Sequence, residues 1–112
     1  MQEIKNGIDR THLKDIASIR KGQSITSSEC KEGNVKVVAG GTNYACLHNQ
    51  ANRGANVITI SASGANAGYV NFWDEPIFAS DCTTVVGRND IETLFIYNVI
   101  IYNPNQSLYL GL

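Results

Sequence analysis

The sequence has no basic surplus. Nine Lys and Arg stand against ten Asp and Glu, and the formal net charge is -1. A protein that holds nucleic acid unaided relies on cationic side chains to neutralise phosphates. Either this chain does not bind nucleic acid, or it supplies base contacts while a partner brings much of the charge. Cysteine is sparse and odd in number: Cys30, Cys46 and Cys82 include no C-x-x-C, and the residues before them do not read as a signal peptide. A reducing cytoplasm fits that usage best. Long apolar runs are also missing, and nothing approaches the ~20 residues a membrane-spanning helix needs. Only two prolines accompany ten glycines, a balance that suits turns with positive φ between short strands. The chain is 43% hydrophobic, which argues against disorder, and its 112 residues suit one domain with one modest core.

Short strands with long polar loops dominate what is present, with one good helix near the C-terminus. Residues 1–10 are polar and read as a flexible N-terminal segment. From Thr11 a single helical turn is expected to run into a short strand over Ala17 to Lys21, ended by Gly22. Gln23 to Asn34 is polar and aperiodic, hence a loop. Val35 to Val38 reads as a strand stopped by Gly40-Gly41, and Thr42 to Asn56 as a long polar loop. Val57-Ile58-Thr59-Ile60 is β-branched throughout and makes a strand. Small residues then lead through Gly64 to Gly68 into a strand over Tyr69 to Trp73. Ile77 to Ala79 and Cys82 to Val86 add two more. Asp90 reads as the N-cap of a helix that Pro104 ends. That helix is apolar most of the way round, a pattern that predicts burial on more than one side. The fold class expected is α+β: a single compact β-rich domain of short twisted strands with long polar loops, a short N-terminal helical turn and one C-terminal helix.

Catalytic and metal chemistry find little support. Cys46 and His48 are two members of a hydrolase set, but no strained nucleophile turn surrounds them. Cys82 lies in a strand pattern and reads as a buried small hydrophobe. Zinc would draw on Cys30, Cys46, Cys82, His12 and His48, which lack the paired spacing of structural sites. Gly64-Ala65-Asn66-Ala67-Gly68 matches neither phosphate-binding glycine motif. A tight connection between strands accounts for its glycines, though less well for the hydrogen-bonding Ser61, Ser63 and Asn66. The stretch Thr42 to Asn56 carries Thr42, Asn43, Tyr44, His48, Asn49, Gln50, Asn52 and Arg53. Such side chains suit a solvated loop, and they are also the types that read base edges in a DNA major groove.

Several strings in order resemble a known family. Leu13-Lys-Asp-Ile-Ala17 with Ile19-Arg-Lys-Gly22 is similar to the opening of a target recognition domain in the specificity subunit of type I restriction–modification systems. Val35-Lys-Val-Val-Ala-Gly-Gly41 looks like that family's next strand and turn. Val57-Ile-Thr-Ile-Ser-Ala-Ser-Gly64 followed by Ala67-Gly-Tyr-Val70 resembles its strand into a small-residue turn. Phe78-Ala-Ser-Asp81 and the helix at Leu94-Phe-Ile-Tyr97 continue the match. The resemblance runs from about Leu13 to Tyr102.

The resemblance implies DNA recognition without catalysis: residues 11–112 would be a target recognition domain reading part of a split double-stranded DNA target. Modification (methyltransferase) and restriction subunits would be its partners. S-adenosylmethionine, ATP and Mg would belong to those partners, so this chain itself is expected to hold no cofactor and no metal. The family usually continues with a glutamine–proline pair and a long spacer helix. Pro104 to Leu112 has neither, so the domain is expected to be C-terminally incomplete. The residues expected to contact DNA are Lys21, Ser24, Thr42, Asn43, Tyr44, Asn49 and Arg53, with Ser61, Ser63 and Asn66 as a second rank. Arg and Lys would hold phosphates, and Asn and Thr would touch bases. Two other readings remain: a non-DNA-reading module that self-associates or binds a methyltransferase, and the recognition domain of a fused restriction–methylation enzyme.

Overall fold

Alternation of side chains along each strand sorts the molecule into layers. The computed structural model describes residues 17–102. The helical turn expected at Thr11, the segment 1–10 and the tail beyond Pro104 lie outside the described residues. The strands are β1 (Ala17–Lys21), β2 (Val35–Val38), β3 (Tyr44–His48), β4 (Val57–Ser61), β5 (Val70–Trp73), β6 (Ile77–Ala79) and β7 (Cys82–Gly87). Helix α1 (Asp90–Tyr102) follows, and a 3-10 turn occupies Ser27–Glu29. One sheet has the order β1-β7-β4-β5 with every neighbour antiparallel. The other has the order β3-β2-β6, in which β2 meets β3 antiparallel and β6 parallel. The expected α+β class is therefore observed.

Helix α1 covers one face of the four-stranded sheet. Ile58 and Ile60 of β4, Val85 of β7, and Ile96 and Ile100 of α1 form a buried cluster, with Ala17, Ile19, Val70 and Phe72 around it. Residues of opposite parity make the second core. Val57, Trp73 and Cys82 meet Val38, Ile77 and Ala79 of the three-stranded sheet. Each fully buried aliphatic side chain contributes roughly 1.5–3 kcal/mol. The Trp73 indole N–H donates to Thr59 Oγ1 at 2.8 Å within this core, so its polar end has a partner. Among the described residues, no helix is long and apolar enough to cross a membrane.

Glycine is required at two turns. Gly22 ends β1 because a Cβ there would lie 2.0 Å from the Ser80 carbonyl oxygen. Gly64 and Gly68 adopt φ of 82° and 90° in the β4–β5 turn, the left-handed region glycine enters without penalty. Gly40, by contrast, has no positive φ; a Cβ on it would sit 3.2 Å from the Ser63 carbonyl oxygen.

Several expectations are corrected. The loop expected over Thr42 to Asn56 contains β3, whose residues are mostly exposed and which is held to β2 by its backbone. The loop over Gln23 to Asn34 contains the 3-10 turn, closed by a capping box between Thr26 and Glu29. Asn89, not Asp90, caps α1: its Oδ1 accepts from the Glu92 amide at 2.9 Å. The helix is buried on one face only, through Thr93, Ile96 and Ile100, whereas Ile91 is 81% and Tyr102 77% exposed. Finally, the odd cysteine count conceals a pair. Cys30 and Cys46 are joined as a disulfide that ties the 3-10 turn to β3, while Cys82 is free and buried.

Candidate functional site

The expected contact residues fall into two groups plus two outliers. The first group forms a polar rim where the β2–β3, β4–β5 and β6–β7 connections meet. Asn71 Nδ2 on β5 donates to the Thr42 carbonyl at 3.1 Å, which holds the β2–β3 turn against the larger sheet. The Ser63 hydroxyl donates to the Asp81 carboxylate. The close approach of Gly40 to Ser63 and Asp81 completes the junction. Thr42, Asn43, Tyr44, Ser63 and Asn66 are all exposed along this rim. Ser61 is not: it is 6% exposed, and its hydroxyl donates to the Ala39 carbonyl at 3.5 Å. Lys36 adds a cation beside the rim, with Nζ 5.5 Å from the Tyr44 ring centroid and 2.9 Å from Glu75 Oε2. The hydrogen bond to Glu75 raises the Lys36 pKa above its ordinary value.

The second group lies where β1 ends. Arg53 is anchored from two directions. Its backbone bridges β6, with the Arg53 amide donating to the Ile77 carbonyl at 3.1 Å and the Ile77 amide donating to the Arg53 carbonyl at 3.2 Å. Its guanidinium donates to Thr84 Oγ1 at 2.8 Å and to the carbonyls of Asn52 and Lys21 at 2.9 Å each. Lys21 is thereby brought to Arg53. Asn52 holds the whole segment: its Nδ2 donates to the Ala79 carbonyl at 3.1 Å, and its Oδ1 accepts from the Ala79 amide at 2.6 Å. Ser24 is exposed in the strand of chain after Gly22, and Asn49 is exposed just beyond β3.

Cys46 and His48 do not form a nucleophile–base pair. Cys46 is bonded to Cys30. His48 is 6% exposed, accepts the Lys31 amide on Nδ1 at 2.8 Å and lies edge-on to Phe78. Both serve to dock β3 and the loop before β2. Cys82 donates its thiol to the Val38 carbonyl at 3.6 Å, and burial pushes its pKa up to about 11, so it is a neutral thiol near neutral pH.

Arg20, Asn52, Asn71 and Asp81 are positioned at these sites but were absent from the expected set. Arg20 carried a signal, because it alternates with the inward Ile19 on β1. Asn52 stands among the base-reading types of the Thr42–Asn56 stretch, but its clamp on Ala79 had no sequence signal, and neither did Asn71, since each acts on a segment far away in sequence.

A family model described as "Type I restriction modification DNA specificity domain" matches residues 7–110. The fold is similar to that of the S subunit of a type I restriction–modification system from M. genitalium, with a TM-score of 0.71 and 19% identity over 86% of this chain and 27% of that one. It is also similar to the HsdS subunit of Thermoanaerobacter tengcongensis, with a TM-score of 0.57 and 20% identity over 83% of this chain and 27% of that one. The chain thus spans about a quarter of the length of either subunit. No curated protein matches it.

Proposed function

The chain belongs to the type I restriction modification DNA specificity domain family, and from that premise we propose that it is a target recognition module that reads duplex DNA and performs no chemistry of its own. The observation that carries this reading is the family match over nearly the whole chain, seated on a two-sheet fold with an exposed polar rim. Thr42, Asn43, Tyr44, Ser63 and Asn66 are exposed on that rim and have the hydrogen-bonding groups that base edges require. Ser24 and Asn49 extend the polar surface. Lys21 and Arg53 hold phosphates, and Ser61 acts from behind by fixing the turn. The module works in the cytoplasm, joined to methyltransferase and restriction subunits that contribute the cofactors and most of the positive charge. The Cys30–Cys46 link is open to reductants there, and the β2–β3 ladder holds β3 without it.

Fluorescence anisotropy of a labelled duplex pool tests the proposal. The chain should bind duplex DNA with an affinity that falls as salt rises. Absence of binding at about 50 mM salt, with and without a methyltransferase subunit, would overturn it.

A second reading is supported by the outer face of α1, where Ile91, Leu94, Phe95, Ile101 and Tyr102 are exposed together. An apolar row of that kind favours self-association. Size-exclusion chromatography across concentrations separates the two: a strict monomer that binds DNA removes the second reading.

A further inference from the structure

Arg20 and Arg53 share a bay of about 280 Å³ on the face of the four-stranded sheet opposite α1. Its floor is made by residues on the face of two paired strands turned away from α1, Ser18 and Arg20 of β1 against Val86 and the buried Thr84 of β7. Its wall is the Asn52–Ala55 segment. The three-stranded sheet, which covers the rest of this face, packs instead against Val57, Trp73 and Cys82 and leaves this corner open.

The charges in the bay are one-sided. The Arg53 guanidinium donates to neutral oxygens, those of Thr84, Asn52 and Lys21. Those bonds leave one N–H on each terminal nitrogen for a ligand. Desolvation presses the Arg53 pKa down from its ordinary value, and the nearby positive charge of Arg20 presses it further. Among the described residues, the ion pairs are Lys36–Glu75 and Arg88–Glu92, and neither arginine of the bay has a carboxylate partner. The chain is not short of carboxylates, since acidic residues outnumber basic ones. Two neighbouring guanidinium groups with no counter-ion among the described residues are held at a free-energy cost that an anion removes. Arg53 is also rigid, fixed by side chain and backbone together, so it loses little freedom on binding.

We propose that this bay is a phosphate site, in which Arg20 and Arg53 grip one phosphodiester of the DNA backbone from two sides. The inference rests on the DNA-recognition reading and adds to it a register contact: a phosphate fixed here sets how the duplex lies against the polar rim, without reading sequence. Arg20 supplies the mobile cation and Arg53 the fixed one.

The test uses the whole chain and its R20Q variant. Among the described residues the Arg20 side chain makes no hydrogen bond, and it is exposed, so the variant should fold with an unchanged unfolding midpoint. Binding of a random duplex pool and of any preferred duplex is measured from low to moderate salt. R20Q should weaken both by the same factor and reduce the steepness of the log K against log salt line by about 0.9, the change for one lost phosphate contact. R53K, which keeps the charge but loses the fork of hydrogen bonds, should weaken both without changing the slope. An unchanged slope and affinity in R20Q, with the parent binding DNA normally, overturns the phosphate site and leaves the DNA reading standing. So does a loss confined to the preferred duplex. If the parent binds no duplex, the DNA source is overturned. Titration with inorganic phosphate, followed through the arginine Nε–H signals, then decides the chemistry of the bay. A shift abolished in R20Q makes it a site for free phosphate, and no shift overturns it altogether.

Discussion

Replacing Asn52 with alanine removes a clamp on which the second core and the cationic bay both depend. Ile77 and Ala79 of β6 turn their amides away from β2, and the Asn52–Arg53 segment receives them. The Asn52 amide group takes both polar groups of Ala79, a residue with no exposed surface. The Ala79 carbonyl keeps the Gln23 amide at 2.9 Å, so its lost bond costs only the net value of roughly 0.5–1.5 kcal/mol. Among the described residues no second acceptor is in place for the Ala79 N–H, and an orphaned buried donor costs roughly 1–3 kcal/mol. Together the loss is about 2–4 kcal/mol. That is a large part of a small domain's stability of about 5–15 kcal/mol, yet it leaves the fold populated. Trp73 is the sole tryptophan and is 9% exposed, so its emission follows urea unfolding directly. With an m-value of about 1.5 kcal/mol/M the midpoint should fall by roughly 1–3 M at constant slope. Asn49→Ala, at an exposed position just beyond β3, should stay within about 0.5 kcal/mol. A loss below about 0.5 kcal/mol for Asn52→Ala would show that water replaces the clamp, and would refute its role in fixing Arg53.

Two further outcomes follow from the packing. Gly22→Ala places a methyl group 2.0 Å from a backbone oxygen of Ser80, so β1 must part from the β6–β7 corner; a loss of roughly 2 kcal/mol or more is expected in the same assay, and a neutral result would mean the corner moves freely. The Cys82 pKa is raised by burial from 9.0 to about 11, so the folded state holds its proton longer than the unfolded chain. Stability from this group is whole below pH 9 and is lost as pH rises towards about 11. Subtracting the curve for Cys82→Ala isolates the effect from Tyr and Lys titration, and a flat difference over that window would contradict it.

Much of the fold could be read from residues because the central strands are unbroken β-branched or apolar runs bounded by turn residues. Val57 to Ile60 and Cys82 to Val85 are buried on both faces of a central pair, and β-branched runs mark that situation. β3 gave no such signal. Its Tyr44, Ala45 and Leu47 are exposed and only His48 is buried, so backbone pairing with β2 rather than apolar pattern makes it a strand. The cap of α1 slipped by one residue because Asn89 and Asp90 are both able to fill that place. For the candidate site, exposure of Thr42, Asn43 and Asn66 was legible from turn composition. The fate of Ser61 and Arg53 was not, because their partners Ala39, Thr84 and Lys21 are 22 to 32 residues away in sequence. The same distance hid the joining of Arg20 to Arg53 in one bay.

The central claim is that this chain reads DNA sequence. Its most direct test is to mix the chain, with its methyltransferase partner, with a randomised duplex library and sequence the bound fraction. Enrichment of one short motif is expected, lost or broadened by Asn43→Ala or Asn66→Ala and preserved in R20Q. A bound fraction indistinguishable from the input library would contradict it.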